Sequence, residues 1–440
     1  WFFCALRRNI ARRTMSMLHR NPALNTLLEQ HLHHLADQEN LSPRAITDAL
    51  EAGTMVLLGN PAHQGLMPIL VGQPAKVKVN ANIGTSPLCN SPEAESRKIA
   101  AALKAGADTV MDLSIAGDLD ALRVGMLRDC PLPLGTVPIY AAGQRILDAD
   151  ADIATMNPED LFAEIAKQAE QGVDFITVHC GLSRRGADMA LHDNRVLGIV
   201  SRGGALLARW MQENGRENPL LEDFDRLLDL CLPYNVTLSL GDGLRPGAGV
   251  DAGDAAQWEE VINLGQLARY ARQRGVQCMI EGPGHVPLHQ VRAQIQGIKR
   301  LTDNAPLYVL GPLCCDSAPG YDHIAGAIGG ALAVEAGVDF LCYLTPAEHL
   351  TLPDEADVRA GVMASRVAAH VGEIALGRPA ALEREKAMNS ARKALDWEGM
   401  SRAALDPAML ENRREEHKSE EVCAMCGKFC SVRMLRKKEN

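Results

Sequence analysis

One local pattern recurs through the middle of this chain and constrains its fold more than any other feature: a helical segment closes on a glycine and an apolar, β-rich run begins at once. It reads "KAGADTVMDLS", "EQGVDFITVHCG", "RQRGVQCMIEGPG" and "EAGVDFLCYLTP". Gly106, Gly172, Gly275 and Gly337 stand where a helix C-terminus calls for positive φ. Counting every such run gives eight: "KVKVNANIG", "TVMDLS", "LGTVPIY", "FITVHCG", "TLSLGDG", "QCMIEGPG", "PLYVLGPL" and "DFLCYLTP". Most are nearly continuous apolar stretches, as parallel strands covered on both faces are. Their starts, at residues 76, 109, 134, 175, 237, 277, 306 and 339, leave room for a helix between most pairs. Eight βα units predict a closed (βα)8 barrel of the α/β class. The long interval after "FITVHCG" holds "GGALLARWMQEN" and "LLEDFDRLLDLCLP", so it carries an extra helix.

At 440 residues the chain exceeds one compact core of ordinary size. The expected organisation is an N-terminal helical domain over 1–74 that caps the barrel, a catalytic barrel over 75–378, and a C-terminal helical arm over 379–440. In the first part, "NPALNTLLEQHLHHLADQEN" and "SPRAITDALEAG" read as helices, the second with Ser42 as cap and Pro43 at the first turn. "TMVLLGNPAHQG" reads as extended. The opening "WFFCALRRNIARRTMSMLHR" is basic and amphipathic without a secretory cleavage pattern. We read it as sequence upstream of a start at Met15 or Met17, or as an added remnant, and leave it out of fold reasoning.

A formal net charge of -10 argues against a nucleic acid or an anionic membrane as the main partner, while a small anion in a local basic pocket stays compatible. No run reaches about 18 apolar residues, so a spanning helix is not expected. Of twelve cysteines, most are scattered singly among apolar stretches, which suits a reduced cytoplasm. Cys423, Cys426 and Cys430 instead crowd "EEVCAMCGKFCSVR".

In barrels of this kind the chemistry collects at the C-terminal rim. There the sequence places Asn80 and Asn82, Asp112, Tyr140, His179, Asp242 and Arg245, Glu281 and His285, Tyr308, and His349. One such residue is readily a cap or loop residue. A polar group after nearly every strand points to a site.

The spacing Cys-x2-Cys-x3-Cys lets three thiolates converge within one loop. A structural zinc with His417 as fourth ligand is one reading; the other is a 4Fe-4S cluster with one iron left open to bind a ligand. His285 in "EGPGHVP" and His349 in "TPAEHL" follow the sixth and eighth strands, where closure brings them to one rim metal, with Glu281 and Glu348 as further ligands or supports. "GIVSRGGALLARW" puts Ser201, Arg202, Gly203 and Gly204 at a helix start that favours an anion, and Arg245 in "GDGLRPG" adds a second guanidinium suited to phosphate.

Together, "VNANIGTS", "GADTVMDLS", "GTVPIY", "GIVSRGG", "SLGDGLRPG", "MIEGPGHVP", "APGYDHI" and "TPAEHLTLP" make the chain, from about Lys76 to Cys430, resemble the thiamin pyrimidine synthase family of noncanonical radical S-adenosylmethionine enzymes. The resemblance implies a barrel whose C-terminal arm closes a 4Fe-4S cluster over the active site, in homodimers that exchange arms. It implies that Asn82, Met111, Tyr140, His179, Ser201, Arg202, Gly203, Asp242, Gly243, Leu244, Arg245, Glu281 and Tyr308 contact substrate. It assigns His285 and His349 to a divalent zinc or iron, and Cys423, Cys426 and Cys430 to the cluster, with Glu281 and these cysteines as the catalytic set.

The chain departs from the best-known members in three places: its last two cysteines are closer by one residue, "VLLGNPAHQG" stands where they have a segment like "IPANINH", and Cys314 and Cys315 stand in "GPLCCDSAPGYDH". These departures look more like the paralogue 5-hydroxybenzimidazole synthase. The expectation is therefore conversion of aminoimidazole ribotide to 5-hydroxybenzimidazole for anaerobic cobalamin synthesis, with hydroxymethylpyrimidine phosphate for thiamin as the alternative product. Both need S-adenosylmethionine and an electron donor such as a flavodoxin or ferredoxin. Two other classes remain beside this: a metal-dependent barrel hydrolase or lyase with a structural zinc tail, and a non-catalytic iron–sulfur sensor.

Overall fold

All eight expected strands form, and they close on one another. The computed structural model describes residues 16–192 and 195–435; the reading of residues 1–14 falls outside them. An antiparallel pair, β1 (Val56–Leu58) and β2 (Ile69–Val71), precedes the barrel. The barrel strands are β3 (Lys78–Ile83), β4 (Thr109–Asp112), β5 (Leu134–Thr136), β6 (Phe175–Val178), β7 (Thr237–Leu240), β8 (Cys278–Glu281), β9 (Leu307–Leu310) and β10 (Phe340–Cys342). They pair in parallel in chain order, and β10 returns to β3.

Helix ends follow the repeat. Gly106, Gly172, Gly275 and Gly337 have φ of 84°, 108°, 90° and 123° and receive the chain as it leaves a helix for a strand. The run "LGTVPIY" behaves differently from the single strand expected. β5 stops at Thr136, and Pro138 opens the helix Pro138–Leu147, which carries Tyr140 in its first turn. Proline presets helical φ for itself and holds the residue before it extended, so the strand must end there. The long interval after β6 holds the helices Arg184–His192, Arg202–Asn214, Pro219–Glu222 and Phe224–Cys231.

Inside the barrel, Phe175, Tyr308 and Phe340 are buried, with the Tyr308 and Phe340 rings stacked at 4.3 Å. Between strands and helices, Ile165, Phe224, Leu227, Ile295 and Val334 are fully covered. Each such side chain contributes roughly 1.5–3 kcal/mol on burial.

The N-terminal segment packs against the strand starts, opposite the rim. Asn21 Nδ2 donates to Asn235 Oδ1 and the Gly275 carbonyl, each at 3.1 Å. Gln277 holds both the N–H and the carbonyl of Leu57, and Lys78 pairs with Glu39 at 3.0 Å. His63 joins Asp174 at 2.8 Å just before β6. At the other end of the chain, the helices Pro379–Ala394, Trp397–Ala403 and Pro407–Arg414 follow the last barrel helix, Glu355–Ala375, to which Arg359–Asp406 (2.5 Å) and Arg366–Leu405 carbonyl (3.0 Å) attach them. No helix among the described residues is long and apolar enough to cross a membrane.

Candidate active site at the barrel mouth

The strand ends surround a pocket of about 100 Å³ that shares Asn82 and Leu113 with a second lobe of about 210 Å³. Asn82, Met111, Tyr140, His179, Asp242, Arg245, Glu281 and Tyr308 line the first; Arg202 and His349 line the second. Alternation along a strand explains much of this: Asn80 and Asn82 share the inner face of β3, and Thr177 and His179 that of β6. Asn80 donates to Asn82 Oδ1 (2.7 Å) and to the Tyr308 hydroxyl (2.8 Å), which fixes three of the polar groups relative to one another. Arg202 lies over the Tyr140 ring at 4.8 Å, and Arg245 pairs with Asp242 at 2.9 Å.

Ser201, Gly203, Gly243 and Leu244 stand behind this wall. Ser201 caps the helix Arg202–Asn214 by accepting from the Gly204 N–H at 3.2 Å, and its Oγ lies 3.0 Å from His179 Nε2. A Cβ on Gly203 would sit 2.2 Å from His179 Cε1, and one on Gly204 would sit 2.7 Å from the Gly243 carbonyl, so the glycines let the helix start approach both. Burial, then the charge of Arg245, pushes His179 down to about 3, so the ring is neutral. Its Nδ1 is buried without a partner among the described residues. Ser201 Oγ and His179 Nε2 share one hydrogen bond, while Nδ1 faces the side-chain-free Gly203. Behind Leu244, Glu260 accepts its N–H at 2.7 Å and fixes the Asp242–Arg245 turn.

Glu281 accepts from Thr177 Oγ1 (2.6 Å) and Ser239 Oγ (2.5 Å). Burial, reinforced by the neighbouring Asp242, raises it to about 7, the range of a group able to give or take a proton at neutral pH.

His285 and His349 meet as expected, with ring centroids 5.4 Å apart. Of the two carboxylates expected beside them, Glu348 lines the same lobe as His349 and interacts with its charge, but the ring nitrogens bond to other acids. Asp316 takes His285 Nδ1 at 2.9 Å, and Asp322 takes His349 Nδ1 at 3.0 Å. Glu281 points instead to Thr177 and Ser239, because it ends β8 on the inner face while the histidines sit on loops beyond the rim. Carboxylates on both Nδ1 atoms leave the Nε2 atoms for a cation, the arrangement by which proteins orient imidazole ligands. His349 is held at φ 61°, a left-handed backbone that few non-glycine residues adopt. Among the described residues no three His, Cys, Asp or Glu side chains are grouped closely enough to hold a metal unaided, so remaining ligands would come from solvent or substrate.

The three clustered cysteines lie in the tail and do not line either lobe. Their loop is fastened to the tail itself: Trp397 Nε1 donates to the Glu421 carbonyl (2.9 Å), and Arg414 stacks on Trp397 while donating to the carbonyls of Glu420 (2.7 Å) and Val422 (3.2 Å). Gly427, at φ 47°, turns the chain between Cys426 and Cys430. Main-chain N–H groups of Cys426 and Met425 lower the Cys423 thiol while Cys423 in turn raises Cys426, and it is the donor set, three thiols within eight residues of one tight loop, that fits an iron–sulfur group. Met425, Phe429 and Leu435 around it are 92%, 84% and 83% exposed.

Several pocket residues were not foreseen from the sequence. Thr177, which lines the pocket and donates to Glu281, could have been found by stepping two residues back from His179 along β6. Cys342, grouped in the sequence with the scattered thiols, lines the pocket and accepts from Asn82 Nδ2 at 3.0 Å. Cys314 and Cys315 do not line it: the Cys314 thiol donates to the Ala325 carbonyl at 3.2 Å, and Cys315 is exposed.

Residues 19–437 match the model of the radical SAM ThiC family. The chain is 49% identical over 406 residues to the phosphomethylpyrimidine synthase of Desulforamulus reducens, covering 92% of this chain and 94% of that one. It is 47% identical over 414 residues to that of Carboxydothermus hydrogenoformans (94% and 96%), and 49% over 404 residues to that of Dehalococcoides mccartyi (92% and 94%). These names overturn the expectation of a 5-hydroxybenzimidazole synthase serving cobalamin. The geometry shows why the departures misled. "VLLGNPAHQG" packs at the foot of the barrel through Leu57, Asn60 and His63, and Cys314 and Cys315 do not line the pocket.

Proposed function

The chain belongs to the radical SAM ThiC family, and on that premise we propose that it converts aminoimidazole ribotide to hydroxymethylpyrimidine phosphate in thiamin biosynthesis. As a radical SAM enzyme of this family it uses a 4Fe-4S cluster and S-adenosylmethionine, which together supply, for one electron, a radical able to abstract a hydrogen atom.

The observation that carries the reading is the convergence of Arg202 and Arg245 on the mouth beside the neutral His179 and the Ser201-capped helix start. We assign the ribotide phosphate to this corner, with Arg202 and Arg245 as cationic donors. Asn82, Tyr140 and Tyr308 position the ribose and imidazole, Met111 gives an apolar contact, and Gly203, Gly243 and Leu244 set the backbone that holds these groups in place. Glu281 moves a proton, and Asp242 keeps Arg245 oriented. His285 and His349, backed by Asp316 and Asp322, hold a divalent zinc or iron that binds ligand polar groups.

Cys423, Cys426 and Cys430 hold the cluster. The exposed Met425, Phe429 and Leu435 beside them call for an apolar cover, which supports an arm that closes on a barrel mouth in a homodimer. A flavodoxin or ferredoxin would deliver the electron in the cytoplasm, and the chain would divide into an N-terminal part (1–74), a catalytic barrel (75–378) and an arm (379–440).

The test is mass spectrometry after anaerobic incubation of the reconstituted protein with aminoimidazole ribotide, S-adenosylmethionine and a strong reductant. Hydroxymethylpyrimidine phosphate with 5′-deoxyadenosine is the expected result. Deoxyadenosine with any other ribotide product would refute the assigned substrate chemistry.

A further inference from the structure

At the foot of the barrel, opposite the mouth, a crevice of about 510 Å³ opens between the N-terminal helices, the start of β3, the helix Glu355–Ala375 and the base of the arm. That volume is within the range of small-molecule sites. Its charge runs against that of the chain. Lys76, Arg366, Arg378 and Arg384 line it, and among the described residues none of them forms an ion pair with a carboxylate. Each gives its side-chain N–H groups to main-chain carbonyls instead: Lys76 to Gln38, Arg366 to Ala105 (2.8 Å) and Leu405 (3.0 Å), Arg378 to Pro74 (3.1 Å), and Arg384 to Ala403 (3.3 Å) and Ala404 (3.2 Å).

The carboxylates in the same wall are already engaged. Glu39 takes Lys78 at 3.0 Å and the Lys76 N–H at 2.8 Å, Asp108 takes the Val79 N–H at 2.8 Å, and Glu373 takes the Val77 N–H at 2.9 Å. Burial depresses Arg366 although Asp108 and Asp406 oppose the shift, and Arg384 lies close enough to add repulsion, so positive charge gathers on this side of the crevice. The helix Pro379–Ala394 also starts in this wall, and its N-cap residue, Arg378, supplies no side-chain cap, so the positive end of that helix faces the same space. A carbonyl satisfies the geometry of a guanidinium N–H without neutralising its charge; only an anion does both.

We propose that this crevice binds a small, multiply charged anion of the phosphate class. Bound there, the anion ties the base of the arm, through Arg384, to the last barrel helix, through Arg366, and to the barrel foot, through Lys76. The site is separate from the barrel mouth and does not depend on the substrate assigned there.

The probe is inorganic pyrophosphate, added to the full-length reconstituted protein under anaerobic conditions, with sodium chloride at matched ionic strength as control. Thermal unfolding should shift upward with pyrophosphate and saturate, and should not do so with chloride. The K76Q/R384Q variant alters side chains exposed at the crevice edge and should weaken the response at least tenfold; K76Q alone, the milder change, should weaken it measurably. R202Q at the mouth should leave the response in place. With pyrophosphate bound, limited proteolysis within 379–435 should slow. An absent or non-saturating shift, a shift undiminished in K76Q/R384Q, or one lost only in R202Q would overturn the proposal.

Discussion

His179 Nε2 lies 3.0 Å from Ser201 Oγ, and the space that brings them together exists because residue 203 has no side chain. A methyl group there would stand 2.2 Å from the imidazole and push it out of line. The G203A variant should therefore lose more than a hundredfold in turnover of aminoimidazole ribotide while keeping a cooperative thermal transition. S201A should raise KM and cost about 1 kcal/mol of stability, the usual effect of losing a helix cap. Steady-state kinetics and urea unfolding on the same preparations separate the two effects.

Glu281 sits where protonation can be read directly. Its ordinary range is near 4.5 and burial raises it to about 7, with Asp242 adding repulsion and Arg245 opposing it. A carboxyl whose folded value is raised favours the protonated form in the native state. Its contribution to stability is thus full at low pH and is lost as pH climbs from the ordinary carboxylate range through about 7. If Glu281 acts as a base, turnover should rise over the same window, and E281Q should flatten both profiles. A rate profile in E281Q that keeps the wild-type inflection near neutrality would assign it to another group.

The barrel was legible in the sequence because its signals are local. Four of the helices that lead into strands end on a glycine with positive φ, and most strands are apolar runs of the length a buried parallel strand takes. The rim residues were legible for the same reason, since they follow those runs directly. What escaped was set by pairing across the barrel. Nothing local marks Asp316 and Asp322 as partners of His285 and His349, or Ser239 on β7 as a partner of Glu281 on β8. Cys314 and Cys315 show the reverse error, because they directly follow the seventh run and yet do not line the pocket.

The carboxylates on the two histidines give a test of the assigned metal centre that does not depend on turnover. D316N and D322N should each lower affinity for zinc or ferrous iron about 10–100-fold, since an oriented imidazole loses its acceptor and its basicity. Competition with a chelating dye reads this on protein whose cluster is intact. Equal affinity in wild type and both variants would remove the histidines from metal binding.

Replacing Cys423, Cys426 or Cys430 by Ala should reduce iron and sulfide in reconstituted protein to background and abolish deoxyadenosine formation. Because the loop is fastened to Trp397 and Arg414 of the tail, the main unfolding transition should stay within a few degrees of wild type. Deoxyadenosine formed at the wild-type rate by any of the three variants would defeat the assignment.

At the opposite end of the barrel, His63 offers a stability switch with a defined sign. Its Nδ1 meets Asp174 Oδ2 at 2.8 Å and its Nε2 meets the Cys130 carbonyl at 3.0 Å, so both ring nitrogens face acceptors and the imidazolium is the form that satisfies both. Burial acts against that charge, but Asp174 outweighs it and His63 is raised above 6.5. A histidine raised on folding contributes fully below its unfolded value and loses that contribution as pH rises through its folded one. H63Q should therefore cost roughly 3–5 kcal/mol at pH 6, as breaking a buried pair does, and less at pH 9. Urea unfolding of wild type and H63Q at the two pH values measures the difference. A gap of the same size at both would mean that the buried pair is held by hydrogen bonding alone, with a neutral ring.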